Sequence, residues 1–368
     1  MQKNAASANF DPNSLGIPNG NYFALPTPKT RAALALLPVM WDVTTSYRAG
    51  AARGPQAILE ASAQVDLYDL DNGEVWRKGI ETMPGIEGVQ RWSKALRPMA
   101  EQVIAMLESN QNDTPSKTDM RVMLNFINST SAVVCEWIYC YAAELLKEGQ
   151  TVGIVGGDHS VPQGLIKALG EVHSEFGILH IDAHADLRKA YEGFEYSHAS
   201  IMYNVLKNVD AVKKLVQVGI RDVGKDEVDL AAANPRVKQF DDFYLAEKQL
   251  NGVSWSDICK EIVAALPEKV YISFDIDGLS PDLCPHTGTP VPGGLSFHQA
   301  SYLLGELVRQ GRCIVGFDLC EVAPGSDEWD ATVGARVLYK LCGYCIRSQP
   351  DAARDAKEKR KEKTTKKI

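Results

Sequence analysis

The chain has 368 residues, of which 45% are hydrophobic and 23% are charged, and its formal net charge is −8 at pH 7. This length and composition are typical of a soluble globular protein that can bury a sizeable core. No apolar run reaches membrane-spanning length and the polar first residues lack a signal-peptide core, so we predict a cytoplasmic protein without a membrane partner.

Positive charge is concentrated at the C-terminal end of the chain. Residues 351–368 contain eight Lys or Arg and four Asp or Glu, so the remaining body is more acidic than the whole chain. An acidic body argues against a nucleic-acid partner and suits a small cationic substrate. The tail, residues 350–368, has no apolar stripe and is expected to be disordered, with a frayed helix or a basic address as the alternatives.

In chain order, an N-terminal arm (residues 1–30) precedes a body (residues 31–349) that we expect to form a single domain. The first predicted elements are a strand at 33–39, a helix with Pro55 at its favoured first position, helices at 95–109 and 131–148, and a polar surface loop at 110–120. Further strands are predicted at 151–157, 176–182, 215–221, 269–277 and 313–319, and further helices at 162–175, 256–266 and 297–310.

These strands lack the polar alternation of a half-exposed sheet. Strands that are apolar on both faces belong to parallel sheets covered by helices, and their alternation with helical segments predicts βαβ units. We therefore predict an α/β fold, a three-layer, doubly wound domain with a mostly parallel sheet. In such sheets, ligands bind at the carboxyl ends of the strands.

Three of the predicted strands end in clusters of charged side chains. The clusters are "VGGDHS" with Asp158 and His159, "IDAHAD" with Asp182, His184 and Asp186, and "SFDIDG" with Asp275 and Asp277. An extended chain sends alternate side chains to the same side, so the members of each alternating set converge. If the three strand ends are neighbours, His159 joins His184 and four of these carboxylates in one site.

Four carboxylates in one site repel each other strongly, and burial makes the repulsion worse. Two divalent cations would balance them, and a donor set of carboxylates and imidazoles without thiolates suits Mn, Fe, Ni or Zn. Taken singly, the motifs have simpler interpretations, such as a Gly-Gly turn with Asp158 or Ser160 as a helix N-cap. Together, at three strand ends, they predict one centre for two metal ions.

The segments "GGDHS", "DAHAD" and "SFDIDGLSPDLCPHTGTPVPGGLS" resemble the three signatures of the ureohydrolases, the arginase and agmatinase family. "DVTTSYRAGAARGPQAI" is similar to the first loop and helix of that family, and the resemblance runs from about Leu34 to Leu341. It implies an arginase-like sheet, two divalent ions (Mn²⁺ or Ni²⁺), hydrolysis of a guanidino group to urea and an amine, and a homo-oligomer, either a trimer or a hexamer.

The resemblance also implies roles for individual residues. The implied metal ligands are His159, Asp182, His184, Asp186, Asp275 and Asp277, with Asp182 and Asp275 as the bridging pair. Three implied catalytic residues are Asp186, which would relay a proton, His198, which would exchange protons with water, and Glu321, which would face the guanidinium. The alternatives are a surface-loop histidine for His198 and a helix-capping glutamate for Glu321.

The sequence indicates the type of reaction more specifically than it indicates the substrate. "NGNYF", "WDVTTSYRAG" and "YSHASIMYN" are most similar to the guanidine hydrolase branch, which implies guanidine as the substrate and urea plus ammonia as the products. The alternatives are agmatine, arginine, another guanidino acid or formimidoylglutamate, and, from another class, a non-catalytic relative that serves as a scaffold.

Several positions bear on this choice of substrate. Arg188 either grips a carboxylate or closes the pocket, and Ser280 replaces an acid that family members often carry in "DGLDP". The expected walls of a small cation pocket, with ordinary packing as the alternative for each, are Trp41, Thr44, Thr45, Tyr47 and Trp329.

Overall fold

The structure, a computed structural model, describes residues 10–108 and 117–350. Within them, eight parallel strands form one sheet in the order β2-β1-β3-β8-β7-β4-β5-β6. The strands are β1 (Leu34–Pro38), β2 (Ile80–Thr82), β3 (Thr151–Val155), β4 (Phe176–Ile181), β5 (Val212–Val218), β6 (Val237–Phe240), β7 (Lys269–Asp275) and β8 (Cys313–Cys320).

Helices cover both faces of the sheet. They are α1 (Gly54–Ser62), α2 (Glu87–Glu108), α3 (Lys117–Lys147), α4 (Gln163–Val172), α5 (Ile201–Asn208), α6 (Lys225–Ala233), α7 (Asp242–Leu250), α8 (Trp255–Ala264), α9 (Phe297–Arg309) and α10 (Trp329–Ser348). One hydrophobic cluster joins the sheet to α1 and α7–α10, and the other joins it to α2–α5. Along β1, Leu34 and Leu36 face the first cluster while Ala35 and Leu37 face the second. The three-layer, doubly wound α/β prediction is confirmed.

The predicted strands agree with the structure except at a few boundaries. β5 begins three residues before the predicted position and stops before Gly219, whose φ of 94° ends the extended run. β2 and β6 were not predicted, because each is a short edge strand that contains polar residues. α5, α6 and α7 were not predicted either, no bounds were predicted for α10, and α2 and α3 begin earlier than expected.

Two predicted segments fall partly outside the described residues. The predicted surface loop at 110–120 is wrong at its end, because Lys117 begins α3, and the rest of the loop lies outside the described residues. Residues 351–368 also lie outside them, so the disordered tail stays a prediction. Within the arm, the Tyr22 hydroxyl donates to the carbonyl of Pro55 and Ser62 Oγ accepts from the amide of Phe23, which packs this part of the arm on α1.

None of the helices in residues 10–108 and 117–350 has both the length and the apolar character needed to cross a membrane.

The strand order explains how distant segments of the chain meet. β3, β8, β7 and β4 lie side by side and run in the same direction, so their carboxyl ends share one edge of the sheet. His159 follows β3, Glu321 follows β8, Asp275 ends β7 and Asp182 follows β4. The crossovers of the fold therefore bring the predicted clusters to one place.

Candidate metal centre

His159 stands at the centre of the first group of predicted ligands. Its Nδ1 lies 3.0 Å from Asp182 Oδ2, 3.2 Å from Asp186 Oδ2 and 3.3 Å from Asp275 Oδ2. All four side chains are buried. One imidazole nitrogen therefore faces three carboxylates from two different strand ends.

His184 forms the second group with Asp277 and Asp182. Its Nδ1 lies 3.1 Å from Asp277 Oδ2 and 3.5 Å from Asp182 Oδ1. Asp182 therefore offers one oxygen to each group, as a carboxylate that bridges two ions would. The structure brings all six predicted ligands together in two adjoining groups, and one ligand atom from each of Asp182, His184 and Asp277 falls within 4.8 Å of the others.

Backbone amides hold these carboxylates in place. Asp182 Oδ1 accepts from the amide of His184 at 2.6 Å, Asp275 Oδ1 from the amide of Asp277 at 2.8 Å, and Asp277 Oδ1 from the amide of Ala183 at 3.0 Å. Each bond uses one oxygen and leaves the other for a further partner. The alternating spacing therefore orients the carboxylates as well as bringing them together.

Two of the predicted catalytic residues have strained backbone conformations. Asp186 has a φ of 53° and Glu321 a φ of 62°, a region that costs free energy for a residue with a side chain. The carbonyl of Asp186 accepts from the amides of Met202 and Tyr203, and the amide of Glu321 donates to the carbonyl of Gly157. These hydrogen bonds maintain the strained backbone conformation and orient both side chains toward the cluster.

The protein alone does not neutralise these acids. Burial, with the charges of Asp277 and Asp182, raises the pKa of Asp275 well above its usual value. Burial and the charge of Asp158 do the same to the pKa of Glu321, and burial and Asp182 raise the pKa of Asp186 to about 6. Carboxylates in this site are therefore short of positive charge.

The pKa values of the two imidazoles, His159 and His184, also indicate that the site lacks positive charge. Burial would lower the pKa of His159, but hydrogen bonds to Asp182 and three further carboxylates outweigh it and hold this pKa well above its usual value. For His184, the charges and hydrogen bonds of Asp277 and Asp182 outweigh burial and raise the pKa to about 12. A site that attracts protons this strongly, and that offers imidazole and carboxylate donors, fits a pair of divalent cations.

Glu321 lies against the first group. Its Oε1 accepts from the amide of His159 at 3.0 Å, and its own carbonyl accepts from Thr287 Oγ1 at 2.9 Å. A Cβ placed on Gly288 would lie 3.6 Å from Glu321 Oε2, so a residue without a side chain faces this second oxygen. The carboxylate is fixed through one oxygen, and the other is left for a ligand.

His198 begins a short 3₁₀ helix (His198–Ser200) beside the cluster. Its Nδ1 lies 3.3 Å from Ser197 Oγ, and its ring packs edge-to-face with Tyr191 at 6.1 Å. Burial, assisted by the charges of His184 and His159, lowers the pKa of His198 to about 3. It is therefore a neutral imidazole close to both groups, and not an exposed loop residue.

A network beneath His159 was missed by the sequence analysis. Ser273 Oγ lies 2.8 Å from His159 Nε2 and donates to Asp318 Oδ2 at 2.9 Å, and the Tyr271 hydroxyl donates to the same oxygen at 2.7 Å. Because the Ser273 hydroxyl donates to Asp318, its oxygen accepts a hydrogen bond from the Nε2–H group of His159, and Nδ1 is left to bind an ion. The available signal was a serine and an aspartate inside otherwise apolar strands.

The expected pocket walls divide into buried and exposed residues. Trp41, Thr44 and Thr45 are buried, and Trp41 packs in the cluster that joins the sheet to α2–α5. The hydroxyl of Thr44 has no hydrogen-bond partner within the described residues. Tyr47 and Trp329 are 72% and 47% exposed, so neither is enclosed in a pocket within this chain.

Arg188 lies on the surface near His198. Its Nε is 3.3 Å from Glu227 Oε2, and its guanidinium stacks on the ring of Tyr191 at 4.8 Å. Its side chain is 42% exposed, and these two contacts are with residues that are not predicted ligands. Glu227 offsets its positive charge in part.

Comparison with known proteins identifies the family of the chain. The model of the arginase family matches residues 32–343. The chain belongs to the arginase family. The predicted ureohydrolase resemblance is therefore confirmed, and the protein is a hydrolase that acts on C–N bonds of linear amidines. Members of this family depend on two metal ions, in agreement with the buried His/Asp cluster.

Two relatives and one solved structure illustrate the breadth of this arginase family. The chain is 33% identical to N(1)-aminopropylagmatine ureohydrolase of Thermus thermophilus, over 86% of this chain and 92% of the relative. It is 30% identical to proclavaminate amidinohydrolase of Streptomyces clavuligerus, over 82% and 85%. The solved structure of an enzyme of that name from Streptomyces clavuligerus aligns with a TM-score of 0.69 at 24% identity, over 91% of this chain and all of that one (100%), which supports the fold.

Proposed function

We propose that this protein hydrolyses a guanidino group at a centre of two Mn²⁺ or Ni²⁺ ions held by the six predicted ligands, and that free guanidine is the substrate. The observation that carries the proposal is the position of Asp182, whose two oxygens face two separate imidazole groups beside the buried carboxylate of Glu321. A structural role alone gives no reason to bury so many uncompensated acids.

The roles of the side chains follow from their contacts. Two ions in this donor set would supply a water of lowered pKa as the nucleophile. Glu321 Oε2 would accept hydrogen bonds from the guanidinium, because Oε1 is already held by the amide of His159. Asp186 would pass a proton to the departing nitrogen as the C–N bond breaks, and His198 would exchange protons between the site and the solvent.

Further buried acceptors support a small cation as the substrate. Asp158 Oδ2 and Thr44 Oγ1 are buried and have no hydrogen-bond partner within the described residues. Both lie in segments that meet behind the site, since the amide of Asp158 donates to the carbonyl of Trp41. Free guanidinium carries N–H bonds on all three nitrogens and has no tail, so it needs acceptors on every side.

A guanidino acid is the second candidate, and Arg188 is the observation that favours it. Its half-exposed guanidinium would attract a carboxylate on a substrate tail, and Glu227 offsets that attraction only in part. The same charge would disfavour an amine-bearing tail such as the one in the name of the Thermus thermophilus relative. Agmatine-like substrates are therefore the third candidates.

A substrate panel tests the proposal. Metal-stripped protein is reloaded with Mn²⁺ or Ni²⁺. Urea and ammonia release are measured from guanidine, agmatine, arginine and guanidinobutyrate, and formamide release is measured from formimidoylglutamate, whose formimidoyl carbon has too few nitrogens to form urea. We expect turnover of guanidine that is unchanged in Arg188→Gln and in its neighbour control Lys189→Gln. Turnover of a guanidino acid that Arg188→Gln alone reduces would select the second candidate.

Two further outcomes would contradict the proposal. Turnover of agmatine without guanidine would overturn the choice of substrate, and inactivity on the whole panel with both metals would favour a scaffold. Sedimentation analysis of the same preparations tests the expected trimer or hexamer.

A further inference from the structure

His180 is a buried polar residue that the mechanism does not use. It lies in β4 between Leu179 and Ile181 and is fully buried. Its Nε2 is 2.7 Å from Asp182 Oδ2, the same oxygen that faces His159 Nδ1. By distance alone it is either a further metal ligand or a partner that holds the bridging carboxylate.

Gln217 on the neighbouring strand β5 decides between these alternatives. Its amide nitrogen lies 2.7 Å from the carbonyl of Ala185 and 2.9 Å from His180 Nδ1, and its amide oxygen accepts from Gln239 Nε2 at 2.9 Å. A carbonyl only accepts hydrogen bonds, so the nitrogen end of Gln217 must face Ala185. The second N–H of that nitrogen then points at His180 Nδ1.

The orientation of Gln217 fixes the proton of His180. Nδ1 accepts a hydrogen bond, so the proton of the neutral ring is on Nε2, which donates to Asp182 Oδ2 and has no lone pair for an ion. We propose that His180, held by Gln217 and Gln239, is a positioning residue that orients Asp182 across the two ion sites, and is not a ligand. This inference rests on the proposed two-metal function.

The contacts of Asp182 predict that the loss of His180 affects the two ion sites unequally. Oδ2 faces His159 and receives the His180 proton, whereas Oδ1 faces His184 and accepts from its amide. Loss of the His180 donor frees Oδ2 and leaves Oδ1 held. The ion on the His159 side should therefore be affected more than the ion on the His184 side.

The test measures Mn²⁺ binding to stripped protein by isothermal titration calorimetry, so it does not depend on activity. His180→Leu should weaken one of the two Mn²⁺ by about 10- to 100-fold, as the loss of an outer-shell partner does. His180→Gln, which keeps an N–H donor at about the same distance from the backbone, should restore most of that affinity. The matched control is Gln150→Leu, which removes a buried amide at the opposite end of β3.

The outcomes separate the alternatives. Wild-type affinity for both ions in His180→Leu would overturn the positioning role, and so would the loss of one bound ion in His180→Gln, which a ligand predicts. If His180→Leu fails to fold, His180→Gln decides by the same criterion. Failure of the wild-type protein to bind two ions of either Mn²⁺ or Ni²⁺ would instead overturn the proposed function.

Discussion

At the residue scale, Asp275 tests the metal centre most directly. Its Oδ2 is 3.3 Å from His159 Nδ1 and its Oδ1 accepts from the amide of Asp277, so Asp275→Asn preserves size and backbone support while removing the charge. We expect urea release to fall by more than about 100-fold, beyond the range of outer-shell changes, and at least one ion to be lost. Metal analysis and a urea assay measure both, with exposed Asp257→Asn as the control. A fully active variant with two ions would contradict the centre.

His198 should affect turnover without affecting the metals. It lies beside both groups, with its ring against Tyr191, and the proposed role is proton exchange. His198→Asn should lower kcat by about 10²- to 10⁴-fold, the usual range for acid–base catalysis, and leave KM and metal content unchanged. Steady-state kinetics and metal analysis measure this, with His298→Asn on the exposed side of α9 as the control. An unchanged kcat, or lost metal, would exclude this role.

Single residues also show what sequence can and cannot reveal. Alternation in "DAHAD" and "DID" predicted which acidic and imidazole side chains converge, because a local spacing decides this. His180 and Ser273 also border this cluster, but they contact partners on other strands. No local pattern encodes which strand lies beside which, so these residues were taken for strand interior.

At the element scale, α2 holds the loop that backs the site. Arg97 Nη1 donates to the carbonyls of Asp42, Val43 and Thr45 and to Thr45 Oγ1, at 2.6 to 3.3 Å. A lysine in place of Arg97 has one nitrogen on a shorter side chain and cannot also make the Arg97 Nε bond to Glu101. For Arg97→Lys we therefore expect a loss of about 1–3 kcal/mol in the free energy of unfolding and a raised KM.

Urea denaturation and steady-state kinetics measure the Arg97→Lys effect. The control is Arg91→Lys on the same helix, where the side chain is 77% exposed and its ion pair with Glu87 contributes little. Equal stability and equal KM in the two variants would show that α2 does not support the loop.

The elements that sequence predicted well are those buried on both faces. β1, β3, β4, β7 and β8 are central or nearly so, and their unbroken apolar runs leave few alternatives. β2 and β6 are the two edges of the sheet, where one side lacks a partner strand and polar residues are tolerated. Edge strands of three or four residues carry too little pattern to be recognised.

At the scale of the whole molecule, strand order is what local patterns do not encode. β3 and β4 follow each other in the chain, yet β8 and β7 lie between them in the sheet. The sequence indicated one site only on the condition that the three strand ends are neighbours. The crossovers meet that condition and also place Glu321, which follows β8, between the cluster after β3 and the cluster at the end of β7.

The same convergence makes the metal-free molecule sensitive to pH. The pKa values of Asp275 and Glu321 are raised by burial, and those of His159 and His184 are raised by carboxylates that outweigh burial. Each group then holds its proton more tightly in the folded than in the unfolded state, so the free energy of unfolding falls as pH rises. Asp182, whose pKa is lowered against burial by hydrogen bonds from His159, His180 and His184, gives a constant contribution above its usual pKa.

Bound ions reverse this dependence, because they require charged carboxylates and neutral imidazoles. We therefore expect chelation to lower the melting temperature, and the difference between Mn²⁺-loaded and stripped protein to widen from about pH 6 to about pH 9. Differential scanning fluorimetry of both forms across this range measures the difference. Asp275→Asn removes one repelling acid, so its stripped form should lose less stability at high pH than stripped wild type. A difference that stays constant or narrows would mean that the cluster is not the place where the ions bind.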